Sequence, residues 1–121
     1  LERGAWTGAV EAVERWARRA GAPVLLGAYG TETGGDGGRH NSAFLVVPGE
    51  GRADYRYDKR FLVPMIERGN VLGWSGVPAG DLTPGTGSLP LVRAGGSAFG
   101  VLICYESAFS GLARAYRLSG A

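Results

Sequence analysis

The feature that most restricts what this chain can fold into is a change of hydrophobic period near its start. Trp6, Val10, Val13, Ala17 and Ala20 recur at three- and four-residue spacing, while Glu11, Glu14, Arg15 and Arg18 lie toward the other side. That pattern predicts an amphipathic helix over residues 5–20. Arg18 and Arg19 complement the negative end of the helix dipole, Gly21 can take a left-handed cap, and Pro23 forbids continuation. Residues 24–30, Val-Leu-Leu-Gly-Ala-Tyr-Gly, then read at once as a short buried strand. A helix turning directly into an apolar strand is half of a layered α/β arrangement. Trp6 and Trp16 are expected to pack into the core behind that helix.

The rest of the chain supplies further strands joined by glycine-rich connections. Residues 41–47 form a second predicted strand, ended by the turn signal Pro48-Gly49-Glu50-Gly51. Residues 53–57 can return as its hairpin partner with Tyr55 and Tyr57 on one face. Residues 89–93 and 99–103 are predicted to form a last strand pair, and residues 109–118 a final helix with Ser110 as its cap. The stretch 31–39 holds Gly34-Gly35-Asp36-Gly37-Gly38 but lacks the Lys-Ser/Thr ending of a phosphate loop. From Met65 to Gly87 the pattern is poorly periodic, and a loop of that length in a compact domain is usually functional or a lid.

Composition excludes several function classes. At 121 residues, with 45% hydrophobic and 20% charged residues, the chain is one domain or part of one and has the make-up of a folded protein. A net charge of +2, with acidic and basic residues interspersed, offers no footprint for nucleic acid. The apolar runs are only a few residues long, far short of the roughly 20 that span a bilayer. One cysteine cannot form an internal disulfide, and one Cys with one His gives no metal-ligand cluster. No cofactor is expected. Leu1-Glu2-Arg3-Gly4 opens straight onto a helical pattern without an initiating Met, so a fragment of a longer protein is expected.

The chemistry concentrates at Phe99-Gly100-Val101-Leu102-Ile103-Cys104-Tyr105-Glu106-Ser107, an apolar run that stops at the single cysteine. Taken alone, Cys104 reads as a small buried hydrophobe. Placed between a strand and a helix, it is equally a nucleophile on rigid backbone, beside the unpaired N–H groups of a first helical turn. A serine site is excluded because no Gly-x-Ser-x-Gly elbow exists. His40 adjoins the flexible glycine segment, a poor support for a catalytic base. Lys59 is the better partner: it is the one lysine among 13 basic residues. An ammonium beside a thiolate lowers the thiol pKa and can stabilise an oxyanion.

Three motifs now carry a resemblance. Asn41-Ser42-Ala43-Phe44, Tyr57-Asp58-Lys59-Arg60-Phe61-Leu62-Val63-Pro64 and Ile103-Cys104-Tyr105-Glu106 resemble, in order and spacing, the carbon–nitrogen hydrolase (nitrilase) superfamily. Within it they are most similar to the catalytic domain of the bacterial apolipoprotein N-acyltransferases. The resemblance implies an α-β-β-α sandwich, of which residues 1–121 would form one partial domain lacking the upstream strand and the C-terminal part. It implies Cys104 as nucleophile, Lys59 as its partner, Glu67 as a further active-site glutamate, and Tyr105 and Glu106 as the functional pair after the nucleophile. The family's general base is a glutamate in a Pro-Glu motif ahead of the first helix, and Glu2 has no preceding proline. Met65-Ile66 before Glu67 and Phe109-Ser110-Gly111 depart from the family wording.

The activity implied is transfer of a phospholipid acyl chain, through a cysteine thioester, to the N-terminal amine of a lipoprotein. It would take place at the periplasmic face of the bacterial inner membrane, with membrane attachment through segments absent from this chain. The loop of residues 65–87, carrying Val71, Leu72, Trp74 and Val77, would act as a lid or dip into the membrane surface. A nitrilase-type amidase acting on a small amide, and a non-catalytic binding module, are the alternatives. In isolation the partial sandwich is expected to fold poorly because of its exposed sheet edges.

Overall fold

In the computed structural model the described residues are 2–31, 38–64, 66–68 and 82–121, with the backbone alone described for 2–7. Helix α1 spans Glu2–Ala20 and leads through Gly21, at φ +63°, into strand β1, Val24–Thr31. Strands β2, Arg39–Val47, and β3, Gly51–Asp58, complete an antiparallel sheet in the order β1-β2-β3. A second, two-stranded sheet pairs β4, Val92–Ala94, with β5, Ser97–Phe99. A 3-10 helix, Cys104–Ala108, and helix α2, Ser110–Leu118, follow. The fold is mixed α/β, consistent with part of a nitrilase-type sandwich.

The first sheet is covered on both faces at its centre, and strand alternation sorts the residues. On one face Phe44 and Val46 are buried on the side of Val13 and Ala17 of α1, the helix that lies against all three strands. On the other face Ala43, Leu45, Tyr55 and Tyr57 form a core with Val92, Val101 and Tyr116. The second half of strand β2 is therefore covered on both sides, which is why residues 43–47 form a continuous apolar run.

Several expectations change in the structure. Trp16 is 63% exposed, because Ala17, fully buried, lets α1 approach the sheet closely and leaves its neighbour one helical step round the flank. The expected packing of Trp6 falls outside the described side chains, as most of loop 65–87 falls outside the described residues. Strand β1 is not buried: it is the edge of its sheet, and Leu25 and Tyr29 on its alternate face remain exposed. His40 is not at a loop edge but buried within β2.

At the C-terminal end the predicted pair 89–93 and 99–103 is replaced by the shorter β4–β5 hairpin. Gly95 and Gly96 both have positive φ, at +58° and +78°, the requirement of a two-residue hairpin turn, so pairing begins immediately on either side of them. Residues 100–103 belong to no ladder among the described residues. Ser110 is the first residue of α2 and not its cap; Phe109 occupies the cap position without a side-chain hydrogen bond.

The close approach at Ala17 is testable. Ala17→Leu should cost about 1–3 kcal/mol in denaturant unfolding by overpacking the helix–sheet contact. Trp16→Ala should stay within about 0.5 kcal/mol of the wild type. Equal effects of the two substitutions would contradict this orientation of α1.

Candidate functional site

Two carboxylates, Glu106 buried and Glu67 half-buried, organise the region where β3 ends. Glu106, fully buried, accepts four hydrogen bonds. Its Oε1 takes the Tyr57 hydroxyl at 2.7 Å, the Arg60 N–H at 2.7 Å and the Phe61 N–H at 3.2 Å. Its Oε2 takes the Ile103 N–H at 2.8 Å, the carboxylate half of a capping box on the 3-10 helix. Glu106 thus ties the backbone immediately after Lys59 to the backbone immediately before Cys104.

The second carboxylate holds the lysine. Lys59 is 1% exposed, and its Nζ lies 2.6 Å from Glu67 Oε2. The same oxygen accepts the Val63 N–H at 2.8 Å, and Oε1 accepts the Asn41 side-chain amide at 3.0 Å. Burial pushes the Glu67 carboxyl upward. The hydrogen bonds from Lys59, Val63 and Asn41, with the charge of Lys59, outweigh it and hold the group below the ordinary glutamate range. An ammonium has three donors, and among the described residues Glu67 engages one of those on Lys59.

Cys104 is exposed and has φ +53°, the one positive φ outside glycine among the described residues. A non-glycine residue in this region is strained, and such strain concentrates at functional sites. The capping bond from Ile103 to Glu106 on one side, and the Ser107 hydroxyl donating to the Cys104 carbonyl at 2.9 Å on the other, keep this turn in place. Tyr105, next along, is 41% exposed.

The residues expected from the sequence therefore divide by environment. Buried Lys59 pairs with half-buried Glu67, Glu106 is sealed among backbone donors, and Cys104 and Tyr105 face solvent. His40 stands apart. Asn41 turns its amide to Glu67, and strand alternation sends the preceding residue to the opposite face.

Other contributors were not singled out beforehand. Tyr57 holds Glu106, and burial followed by its bond to that carboxylate pushes its phenol well above the ordinary tyrosine range, so it remains a donor. Its position two residues before Lys59, on the same strand face, was a signal available in the sequence. Tyr116 packs edge-on to Tyr57 at 6.2 Å and lies against Gly100, where a Cβ would overlap its ring. Arg60 donates to the carbonyls of Gly87 and Ser88, and the N–H of Gly85 donates to the Lys59 carbonyl at 2.8 Å. These bonds strap the later loop against the lysine segment.

Comparison with known proteins gives the family. The family model described as carbon–nitrogen hydrolase matches residues 7–121. A protein of Synechocystis sp. named apolipoprotein N-acyltransferase is 42% identical over 105 residues, covering 81% of this chain and 19% of that relative. The chain thus spans about a fifth of the length of the curated relative it matches. No solved structure matches the chain.

Two outcomes test the geometry. In the left-handed region glycine avoids a penalty of roughly 1–2 kcal/mol, so Cys104→Gly should unfold at a higher denaturant concentration than Cys104→Ala; the reverse order would refute the strained turn. Glu67, with its folded-state pKa lowered, stabilises fully above the ordinary glutamate value of about 4.3. That contribution disappears as pH falls further through the depressed folded value. The difference in melting temperature between wild type and Glu67→Gln should accordingly shrink under acid, and a gap independent of pH would rule out the ionised pair.

Proposed function

Because the chain belongs to the carbon–nitrogen hydrolase family, we propose that it carries the thiol and lysine of an acyl-transfer site, Cys104 attacking and Lys59 stabilising the oxyanion. The observation that supports this most directly is the Glu106 carboxylate joining the Lys59 and Cys104 segments. Such a link fixes a nucleophile and a cation on one rigid frame, as positioned catalysis requires. Glu106 spends its carboxylate oxygens on Tyr57, Arg60, Phe61 and Ile103 and serves as a positioning residue, while Glu67 orients the Lys59 ammonium.

The name of the Synechocystis relative favours an acyl group as cargo and an apolipoprotein amine as acceptor. On this reading the Cys104 thiol gives its proton to a base, which the family resemblance puts in a glutamate ahead of the first helix. Its sulfur adds to the ester carbonyl of a phospholipid. Lys59 and the Tyr105 N–H hold the oxyanion. As the carbonyl reforms, the ester C–O bond breaks, and the lysophospholipid leaves with the proton returned by the base. The amine of a lipoprotein N-terminus then attacks the thioester, gives a proton to the same base, and expels the Cys104 thiolate, which takes that proton back as the amide is released. The reaction would proceed at the periplasmic face of the inner membrane. No described helix is long and apolar enough to cross a membrane, so attachment would rest on other segments.

The test uses full-length protein and a phospholipid labelled in its acyl chain. Wild type should form a hydroxylamine-labile adduct that Cys104→Ala abolishes. Lys59→Ala should slow adduct formation by about 10²–10³, the usual cost of losing one oxyanion donor. Hydrolysis of a small amide with no adduct from phospholipid would assign the site to an amidase instead. Adduct formation unaffected by Cys104→Ala would remove the cysteine from the chemistry.

A further inference from the structure

The pair of Lys59 and Glu67 is gripped by one short stretch, Leu82-Thr83-Pro84-Gly85. The Leu82 N–H donates to the Glu67 carbonyl at 3.0 Å, and the Gly85 N–H donates to the Lys59 carbonyl at 2.8 Å. Between them the Thr83 N–H donates to the Arg39 carbonyl at 2.7 Å, which seats the stretch on β2. On its other side Lys59 gives its own N–H to the Asn41 carbonyl at 2.8 Å. A single stretch thus holds the backbones of both partners in the ion pair, and Pro84, with its fixed φ, stiffens the span between the two bonds.

Gly85 is the tightest point of this contact. Its φ is not positive, so backbone conformation does not call for glycine, but the space around it does. A Cβ at this position would overlap the Asp58 carbonyl oxygen and stand 2.8 Å from both the carbonyl carbon and the Cβ of Asp58. These atoms belong to the end of β3, one residue before Lys59, and cannot swing aside as the tip of a long side chain can. The Arg60 guanidinium meanwhile holds down the following residues by donating to the carbonyls of Gly87 and Ser88. With the stretch pinned beyond Gly85, part of the displacement forced by any side chain there falls on the Asp58–Lys59 peptide.

We propose that Gly85 is a positioning residue for acyl transfer: lacking a side chain, it lets residues 82–85 close on the Lys59 backbone and so sets the ammonium where the oxyanion forms. The proposal rests on the acyl-transfer reading and adds to it a residue that acts through Lys59.

The experiment is a double-mutant cycle in full-length protein, reading kcat and KM for adduct formation from acyl-labelled phospholipid. Gly85→Ala should lower kcat by about 10- to 100-fold and change KM by less than about twofold, the signature of a displaced group that acts in the transition state. In a Lys59→Ala background the same substitution should cost less than about twofold, because no ammonium remains to be misplaced. Ala17→Leu, which disturbs packing outside this stretch, should leave kcat within about twofold of wild type, separating misplacement from general destabilisation. Should Gly85→Ala fail to fold, Arg60→Gln releases the following residues without adding bulk, and its loss of about threefold to tenfold must likewise vanish without Lys59. Equal losses in the two backgrounds, or no loss in either, would overturn the role of Gly85 and leave the acyl-transfer reading standing. Absence of any adduct in wild type would overturn both.

Discussion

Everything arranged around the candidate site depends on a charge placed where charge is costly. Glu106 has no exposure to solvent, and an ionised carboxylate withdrawn from water is tolerated only when its lone pairs are occupied. One tyrosine hydroxyl and three backbone N–H groups occupy them. Since those donors belong to the end of β3, to the segment after Lys59 and to the turn before Cys104, satisfying the charge requires all three to meet. The demand of a buried anion thereby becomes a constraint on the spacing between lysine and cysteine segments.

A second constraint works through Glu67. Its carboxylate gathers Lys59, Asn41 from β2 and the Val63 N–H. Its backbone carbonyl accepts the Leu82 N–H, and Thr83 donates to the carbonyl of Arg39. The two carboxylates therefore divide the labour. Glu67 fixes where the ammonium points, and Glu106 fixes the backbone that bears it and the turn that bears the thiol. The strained φ of Cys104 is compatible with this division, since a bonded frame on both sides can hold a conformation that an isolated turn would relax.

Local rules recovered the elements whose causes are local. The helix ending at Gly21, the strand pair around Pro48-Gly49-Glu50, and the buried face of Tyr55 and Tyr57 follow from periodicity and turn chemistry. The errors share a different origin. Whether β1 is buried depends on what covers its outer face, and Leu25 looks equally apolar in either case. Trp16 faces outward because a smaller neighbour allows closer packing, a matter of helix placement and not of hydrophobicity. The hairpin register at Gly95-Gly96 followed turn geometry more strictly than the apolar run suggested.

The sequence by itself determined the α/β class, the order of its principal elements, and the motifs that mark Lys59, Glu67, Cys104, Tyr105 and Glu106 as residues of interest, because residue type, spacing and family wording are one-dimensional properties. Only the tertiary structure decided how those residues differ. It sealed Glu106 inside a cage of donors, paired Lys59 with Glu67, left Cys104 exposed on a left-handed turn, and set Phe61 against Phe109 across a gap of 48 positions in the chain. The physical reason is that burial, hydrogen-bond satisfaction and ring stacking are relations between distant segments, and their cost is defined only once those segments share a volume.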